Sequence, residues 1–286
     1  MLLKPFEIVF AESVEDASSA LARLGDEALV YSGGVELVLL ARLGFVEAGY
    51  LVDVKGIPGI GDLSNGGPAV RIGATVTHRR VHTDPLVNDA LPLLARAAGG
   101  IGNVRIRNQG TLGGNVCFCD PHSDPTAPLL VYEATVVAES ARGRRELPFD
   151  EFVVGPYETA LEPDEIVTSV SAQGLPGWGQ HYIRFARFER PTVNTAVAVR
   201  TENGTIAEAR VAVGCLGPRA RRLGDLEARL QGVRSDEASR IVAESRSYLA
   251  ETLAPSDDLL GSADYKLQLA SVLVGRALDA ALEASA

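Results

Sequence analysis

The chain has 286 residues, of which 46% are hydrophobic and 22% are charged. A chain of that length is expected to form about two domains with a sizeable core, and its composition excludes an intrinsically disordered chain. Lys and Arg number 27 against 37 Asp and Glu, so the formal net charge is −10. A protein this acidic is not expected to present the broad positive face that binding to a nucleic-acid backbone requires.

Cysteine usage and the start of the chain predict a cytoplasmic protein. Three cysteines, Cys117, Cys119 and Cys215, are too few for a disulfide framework, a four-cysteine iron–sulfur cluster or a structural zinc site. They are expected to be buried and inert. The first residues, Met1 to Phe6, lack the apolar core of a signal peptide. No apolar run reaches the roughly 18 residues of a transmembrane helix.

The first third of the chain alternates short helices and strands, which is typical of α/β and α+β proteins. Ser13 is a predicted N-cap, and apolar residues then recur at helical spacing as far as Leu24. An apolar strand over 28–31 ends at Ser32-Gly33-Gly34, after which helical spacing begins again. Further strands are predicted over 50–54 and 70–76.

The middle of the chain contains a second glycine-rich segment. A helix is predicted over 92–98, and residues 108–115 are then expected to form an irregular loop because glycine is so dense there. Residues 120–125 continue the irregular stretch. After them come a predicted helix over 127–132 and predicted strands over 135–138 and 166–170.

Gly, Pro and Trp interrupt all periodicity between residues 172 and 180, which predicts a domain boundary there. We therefore expect domains at 1–174 and 175–286. In the second domain, strands over 181–188, 195–200 and 206–215 form a meander, with Asn203-Gly204 as the hairpin turn. Helices are then predicted over 225–230, 236–253 and 263–282, so this domain is an antiparallel sheet backed by helices.

The two glycine-rich segments are the candidate binding site. At a strand-to-helix turn such as Ser32-Gly33-Gly34, unpaired backbone N–H groups face whatever lies beyond the helix N-terminus, and a phosphate fits there. Alone, such a turn is also common for purely geometric reasons. The second segment, Thr111 to Asn115, matches neither the Rossmann fingerprint nor the phosphate loop of nucleotide hydrolases. The less favoured alternative for this segment is an Ω-like surface loop.

Together, two such segments can hold one extended diphosphate, with hydroxyl and amide side chains as further partners. No histidine spacing predicts a metal site, and no residue is identified as a general acid, base or nucleophile. The combination predicts a dinucleotide cofactor whose own chemistry carries the reaction.

In these segments the sequence resembles a known family, the flavin-binding medium subunits of molybdenum hydroxylases, which include the carbon monoxide, nicotine, caffeine and xanthine dehydrogenases. The resemblance is carried by Ser32-Gly33-Gly34-Val35-Glu36-Leu37, by Gly110-Thr111-Leu112-Gly113-Gly114-Asn115, by Asp120-Pro121 with Asp124, and by Gly217-Pro218-Arg219-Ala220. These motifs extend over most of the chain.

The resemblance implies an α+β fold: a vanillyl-oxidase-like (PCMH-type) FAD-binding domain of two subdomains, followed by a C-terminal α+β domain with an antiparallel sheet and helices. It also implies which residues bind FAD. By match to the family motifs these are Ser32, Gly33, Gly34, Val35, Glu36, Leu37, Thr111, Gly114, Asn115, Phe118 and Asp124, with Ile166, Val167 and Arg187 as further candidates.

The function implied is electron transfer by an oxidoreductase subunit. In that hypothesis FAD on this chain receives electrons from a small subunit with [2Fe–2S] clusters, a large subunit with the molybdenum cofactor oxidises the substrate, and the complex is a dimer of heterotrimers. Two alternatives remain. One is a free-standing flavin oxidoreductase on the same fold, and the other is a phosphate- or protein-binding module without a redox role.

The chain departs from the family pattern at two places. Some relatives place a tyrosine against the flavin where Thr192 stands here, and some carry a lysine where Arg187 is the nearest cation. Otherwise Arg184, Arg187 and Arg190 are expected to form a solvated strand face.

Overall fold

The computed structural model describes residues 4–67 and 69–285 of the chain. Its first elements are β1 (Glu7–Phe10), α1 (Val14–Leu24), β2 (Ala28–Tyr31), α2 (Val35–Leu43) and β3 (Tyr50–Asp53). The strands form a parallel sheet in the order β1–β3–β2, which requires the crossover helices that α1 and α2 supply. The predicted N-cap is confirmed, because the Ser13 hydroxyl accepts the Asp16 N–H at 3.1 Å.

A second unit is built on an antiparallel sheet. Its elements are β4 (Leu63–Asn65), β5 (Ala69–Gly73), α3 (His78–Thr83), α4 (Pro85–Ala90), α5 (Pro92–Gly100), α6 (Val104–Gln109), α7 (Leu112–Phe118), α8 (Thr126–Val131), β6 (Thr135–Ser140), β7 (Gly143–Pro148), α9 (Phe149–Phe152), β8 (Val153–Gly155), β9 (Glu158–Thr159) and β10 (Ile166–Gln173). The sheet order is β4–β5–β10–β6–β7, and β8 pairs with β9.

The prediction of an irregular loop over 108–115 is wrong. Helix α6 ends at Gln109, and α7 begins at Leu112, so only Gly110 and Thr111 separate them. Each helix has its own cap, because Asn103 accepts two backbone N–H groups at the start of α6 and Thr111 accepts one from Gly114. The caps and the tertiary contacts outweigh the low helix propensity of glycine.

The C-terminal unit is a four-stranded antiparallel sheet in chain order with helices. Its elements are β11 (Gly179–Phe185), β12 (Val193–Glu202), β13 (Thr205–Gly214), β14 (Arg221–Arg222), α10 (Gly224–Leu230), α11 (Ala238–Ala243), α12 (Arg246–Leu253) and α13 (Ala263–Ala284). The predicted hairpin turn is confirmed: Asn203 and Gly204 have φ of 51° and 76° between β12 and β13. Two positive φ values are what a tight hairpin requires.

One predicted helix, over 236–253, is divided into α11 and α12. The break lies at Glu244 and Ser245, where the Ser245 hydroxyl donates to the Ile241 carbonyl at 2.7 Å and accepts from Arg229 at 2.7 Å. A serine side chain that bonds to the preceding turn competes with helix continuation. The fully buried Ser245 thus anchors the break against α10.

The two faces of the C-terminal sheet pack against different hydrophobic cores. Along β12, Val197 and Val199 pack with the helices of the C-terminal unit, whereas Ala196 and Ala198 pack with the core of the preceding unit. This alternation follows the two-residue period of a strand. The small alanines let the sheet lie close to α8, so β11 and β12 present side chains directly to the first part of the chain. None of the described helices is long and apolar enough to cross a membrane.

Candidate functional site

The two glycine-rich segments lie in direct contact. The Ser32 and Thr111 hydroxyl oxygens are 3.1 Å apart, although the residues are 79 positions apart in the sequence. A Cβ atom built on Gly33 would overlap the Gln109 carbonyl oxygen and would stand 3.0 Å from the Gly110 Cα. Only glycine at position 33 permits this approach of one backbone to the other. The two segments that the sequence predicts to form one site therefore lie side by side.

The first segment forms the N-terminus of α2. Gly34 is the N-cap residue with φ of 70°, and no side chain caps this helix. In the described part of the chain, no acceptor is found for the backbone N–H groups of Val35, Glu36 and Leu37. A helix N-terminus with free N–H groups carries partial positive charge and attracts anions.

The second segment forms the N-terminus of α7 rather than a loop. Gly113 is buried against Ala74, the residue that follows β5. A Cβ atom built on Gly113 would stand 2.6 Å from the Ala74 Cβ. Gly114 is exposed, and its N–H donates to the Thr111 hydroxyl at 3.1 Å. The Asn115 amide oxygen accepts from the Ser123 hydroxyl at 2.6 Å. Thr111, Gly114 and Asn115 are therefore already ordered by the chain itself.

Arg190 links the two segments from the C-terminal unit. Its guanidinium donates to the Glu36 carboxylate at 3.2 Å and to the Asp120 carboxylate. Asp120 also accepts the His122 N–H at 2.9 Å. Two carboxylates beside an anion site would repel a diphosphate, and the single positive charge of Arg190 offsets part of that repulsion. Arg190 is exposed, as expected, but it lies between β11 and β12 rather than on a strand, and its two ion pairs were not deduced from the sequence.

Asp124 is held by β11. The Tyr182 hydroxyl donates to Asp124 Oδ1 at 2.6 Å, and Arg184 Nη1 lies 3.4 Å from Asp124 Oδ2. Burial raises the pKa of Asp124 to about 6, against the lowering effects of the Arg184 charge and the Tyr182 hydrogen bond. Arg184 also donates to the Gly100 carbonyl, and its side chain is only 18% exposed. Arg184 is therefore not part of a solvated face, contrary to the expectation.

The backbone around Asp124 is fixed from β12. The Asn194 amide donates to the carbonyl oxygens of Ser123 and Asp124 at 3.1 and 3.4 Å. Thr192 is fully buried, and its hydroxyl has no partner among the described residues. Tyr182 and Arg184 share one face of β11 by their even spacing, which is a sequence signal that could have grouped them, and the register of β11 with β12 places Asn194 opposite Arg184.

The remaining predicted residues lie in different surroundings. Phe118 packs edge to face with Tyr157, with ring centroids 5.2 Å apart. Ile166 and Val167 are buried in the core of the second unit, so only their backbone atoms could face a cofactor. Arg187 is exposed in the segment between β11 and β12.

The cysteines are protected thiols. Cys119 and Cys215 are buried and Cys117 is half-buried, and all three are free. Burial raises the pKa of Cys117 and of Cys119 to about 12, so neither forms a thiolate readily at neutral pH. Over the described residues, no group of three or more His, Cys, Asp or Glu side chains is placed to hold a metal ion.

Taken together, the site fits an extended dinucleotide. Donors are provided by the unpaired N–H groups at α2 and by one hydroxyl of the Ser32–Thr111 pair, and the glycine backbone at positions 33 and 34 leaves them without steric obstruction. The guanidinium of Arg190 reduces the repulsion that the Glu36 and Asp120 carboxylates would exert on an anionic diphosphate.

Comparison with known families and proteins agrees with this geometry. Residues 4–172 match the family described as "FAD binding domain in molybdopterin dehydrogenase", and residues 184–281 match the "CO dehydrogenase flavoprotein C-terminal domain". The carbon monoxide dehydrogenase medium chain of Hydrogenophaga pseudoflava is 34% identical over 286 residues, covering 98% of both chains. The nicotine 6-hydroxylase medium subunit of Paenarthrobacter nicotinovorans is 34% identical over 274 residues, covering 93% of each.

Solved structures give the same result. A structure of carbon monoxide dehydrogenase from Hydrogenophaga pseudoflava superposes with a TM-score of 0.95 at 34% identity over the whole of both chains. Quinoline 2-oxidoreductase from Pseudomonas putida 86 superposes with a TM-score of 0.92 at 26% identity, covering 100% of this chain and 99% of the other. The expected α+β fold is thereby confirmed. The chain belongs to the family of FAD-binding medium subunits of molybdenum hydroxylases.

Proposed function

We propose that this chain carries FAD in the site formed by α2 and α7 and passes electrons from iron–sulfur clusters to an external acceptor. The observation that carries the proposal is the contact between Gly33 and the backbone of Gln109, which brings two donor-rich segments onto one site. The unpaired N–H groups at the start of α2 then supply the partial positive charge that attracts a diphosphate.

The residues proposed to bind FAD fall into three groups. Residues 32–37 bind the diphosphate through backbone N–H groups, and Thr111, Gly114 and Asn115 bind it from the other side. Asp124 accepts a hydrogen bond from the cofactor, and Phe118 lies near it. The set also includes Ile166 and Val167, through backbone contacts, and Arg187, through its charge.

Bound FAD can accept electrons one at a time and release them in pairs, which suits a position between iron–sulfur clusters and a two-electron acceptor. The chain's own residues bind and orient the cofactor and set the charge around it. Arg190 pairs with the Glu36 and Asp120 carboxylates and offsets part of their charge, and Tyr182 with Arg184 fixes the Asp124 carboxylate. Of the Ser32 and Thr111 hydroxyls, which are hydrogen-bonded to each other, one keeps its hydrogen free to donate.

We also propose the organisation of the complete enzyme. A large subunit carries the molybdenum cofactor, a small subunit carries [2Fe–2S] clusters, and two such heterotrimers associate in the cytoplasm. Three free thiols on this chain suit a reducing compartment. The domain boundary is proposed between residues 174 and 175, in the segment between β10 and β11.

The decisive experiment is measurement of FAD on the purified chain. We expect stoichiometric FAD by absorbance after acid release, and its recovery when the stripped protein is incubated with FAD. A colourless protein that takes up no FAD would contradict the proposal. Affinity purification from the source cells should recover the two partner subunits, whereas an isolated chain that turns over a substrate would favour a free-standing flavin oxidoreductase.

A further inference from the structure

A tyrosine with a strained backbone lies at the turn between β8 and β9. Gly155 pairs with Glu158, so the turn itself consists of Pro156 and Tyr157. Tyr157 has a φ of 60°. A turn with proline first and a positive φ second favours glycine or asparagine at the second position, because a larger side chain is strained there. The chain therefore keeps a bulky aromatic side chain at a position that favours glycine.

Burial does not account for this choice of residue. Tyr157 is 59% exposed, so most of its surface lies outside the hydrophobic core. Its edge-to-face contact with Phe118 leaves the larger part of the ring uncovered. Strained residues that the core does not require are concentrated at binding sites. The exposed ring of Tyr157 is therefore a candidate for contact with a ligand.

The turn is fixed against the helix that begins in the second glycine-rich segment. The Tyr157 N–H donates to the carbonyl of Cys119 at 2.9 Å, directly after the end of α7. Strand β9 also contacts α7. Backbone contacts, rather than the ring, thus set the position of the turn relative to α7.

The hydroxyl end of Tyr157 lies among the charged groups of the candidate cofactor site. Partial burial and the Asp120 carboxylate raise the pKa of Tyr157, and the Arg190 charge lowers it. Glu36, in the first turn of α2, also raises this pKa. Arg190 pairs with both of these carboxylates beside the N-terminus of α2. The ring therefore borders the site, on the same side as Phe118.

A flat aromatic surface adds what the glycine-rich segments lack. Apart from Phe118, the candidate contacts near these segments are mainly backbone N–H groups and hydroxyls. Such donors suit a diphosphate, but they give no surface for a planar ring. Aromatic rings prefer an offset stacked or edge-to-face arrangement, and an electron-rich phenol stacks well on the electron-poor ring of an oxidised flavin.

We propose that Tyr157 is a further cofactor-binding residue, whose ring stacks against the isoalloxazine of FAD. The inference rests on the proposed function, because it adds a contact at the same site. The turn holds the residue beside the site before FAD binds. Less conformational entropy is then lost on binding than if a free loop had to become ordered.

Replacement of Tyr157 by glycine separates a binding role from a purely structural one. Tyr157→Gly removes the ring and suits the positive φ, so we expect a folded protein at least as resistant to urea as the wild type. FAD should nevertheless bind about tenfold more weakly, from loss of one stacking contact. Ala254→Gly is the matched control: Ala254 also has a positive φ, of 43°, at the end of α12, and this variant should bind FAD as the wild type does.

Flavin fluorescence tests the contact independently of affinity. A tyrosine stacked on an excited flavin quenches its emission, because an electron passes from the phenol to the flavin and then returns. A phenylalanine ring is too difficult to oxidise to do this. Tyr157→Phe should therefore retain the affinity for FAD but give brighter flavin emission. Tyr248→Phe, which alters a tyrosine packed against the core of the C-terminal unit, is the control and should leave the emission unchanged.

Two results would overturn the assignment. If Tyr157→Gly binds FAD as tightly as the wild type, the residue serves the turn alone. If Tyr157→Phe leaves the flavin emission unchanged, the ring does not lie against the isoalloxazine. A wild-type chain that takes up no FAD would instead refute the proposed function, so the two failures are distinguishable.

Discussion

The hydrogen bond from Tyr182 to Asp124 gives the sharpest test of the polar cluster between the two domains. Tyr182→Phe removes one hydroxyl and leaves a buried carboxylate with Arg184 as its remaining side-chain partner. A hydrogen bond to a charged group contributes about 1.5–3 kcal/mol, equivalent to about one to two pKa units. The pKa of Asp124, which burial raises to about 6, should therefore rise further in the variant.

The sign of the pH dependence follows from that direction. The folded pKa of Asp124 lies above its ordinary value of 3.8, so ionisation of Asp124 costs stability as the pH rises through about 6. In Tyr182→Phe the cost is larger and extends to higher pH. We expect a destabilisation of about 1.5–3 kcal/mol at about pH 8, and of only about 1 kcal/mol at about pH 5, where the folded carboxyl is mostly protonated.

Urea denaturation of both proteins at the two pH values measures this difference. Tyr132→Phe is the matched control, because the Tyr132 hydroxyl is equally buried but donates to the uncharged Gln180 amide at 2.6 Å. Its destabilisation should be the same at both pH values. If Tyr182→Phe also loses the same free energy at both, the hydroxyl does not support the ionised carboxylate and the reasoning fails.

Three further predictions concern the glycine contact, the thiols and one buried ion pair. Gly33→Ala should abolish FAD retention in a protein that still folds, because its methyl overlaps the facing backbone; unchanged FAD content would disprove the contact. Cys117 and Cys119 should resist iodoacetamide at about pH 8 in the native state and react in urea, since burial raises the pKa of both thiols to about 12; rapid native alkylation would contradict this. Arg145 lowers the pKa of Glu165, so Glu165→Gln should cost about 1 kcal/mol at neutral pH after allowance for solvent screening. That cost should shrink on acidification below about pH 4, and urea titrations that show no shrinkage would refute it.

Local signals were enough to predict much of the fold. The Ser13 cap and the Asn203-Gly204 turn are encoded within a few residues, and the structure confirms both. Residues 108–115 were mispredicted because glycine density suggested irregularity. In the structure, Thr111 caps a helix there and Gly113 is required by the close approach of Ala74, a contact that local sequence does not reveal.

In the candidate site, too, the features encoded locally were predicted and those that depend on distant contacts were not. Its glycine segments were found because glycine marks close backbone approach wherever it clusters. Arg190 and Tyr182 were missed because their partners, Glu36 and Asp124, lie 154 and 58 residues away. A charged residue that follows a strand is indistinguishable from a solvated one until the docking of the two domains is known.

The contact between Gly33 and Gln109 also constrains how the protein acquires its cofactor during synthesis. The two halves of the site leave the ribosome at different times, since Ser32 and Thr111 are 79 positions apart in the chain. A nascent chain that has emerged only as far as β5 has half a binding surface. The complete FAD site cannot form until α7 has been synthesised and has packed against the first glycine-rich segment. FAD that binds then stabilises the packed arrangement of the two segments by mass action.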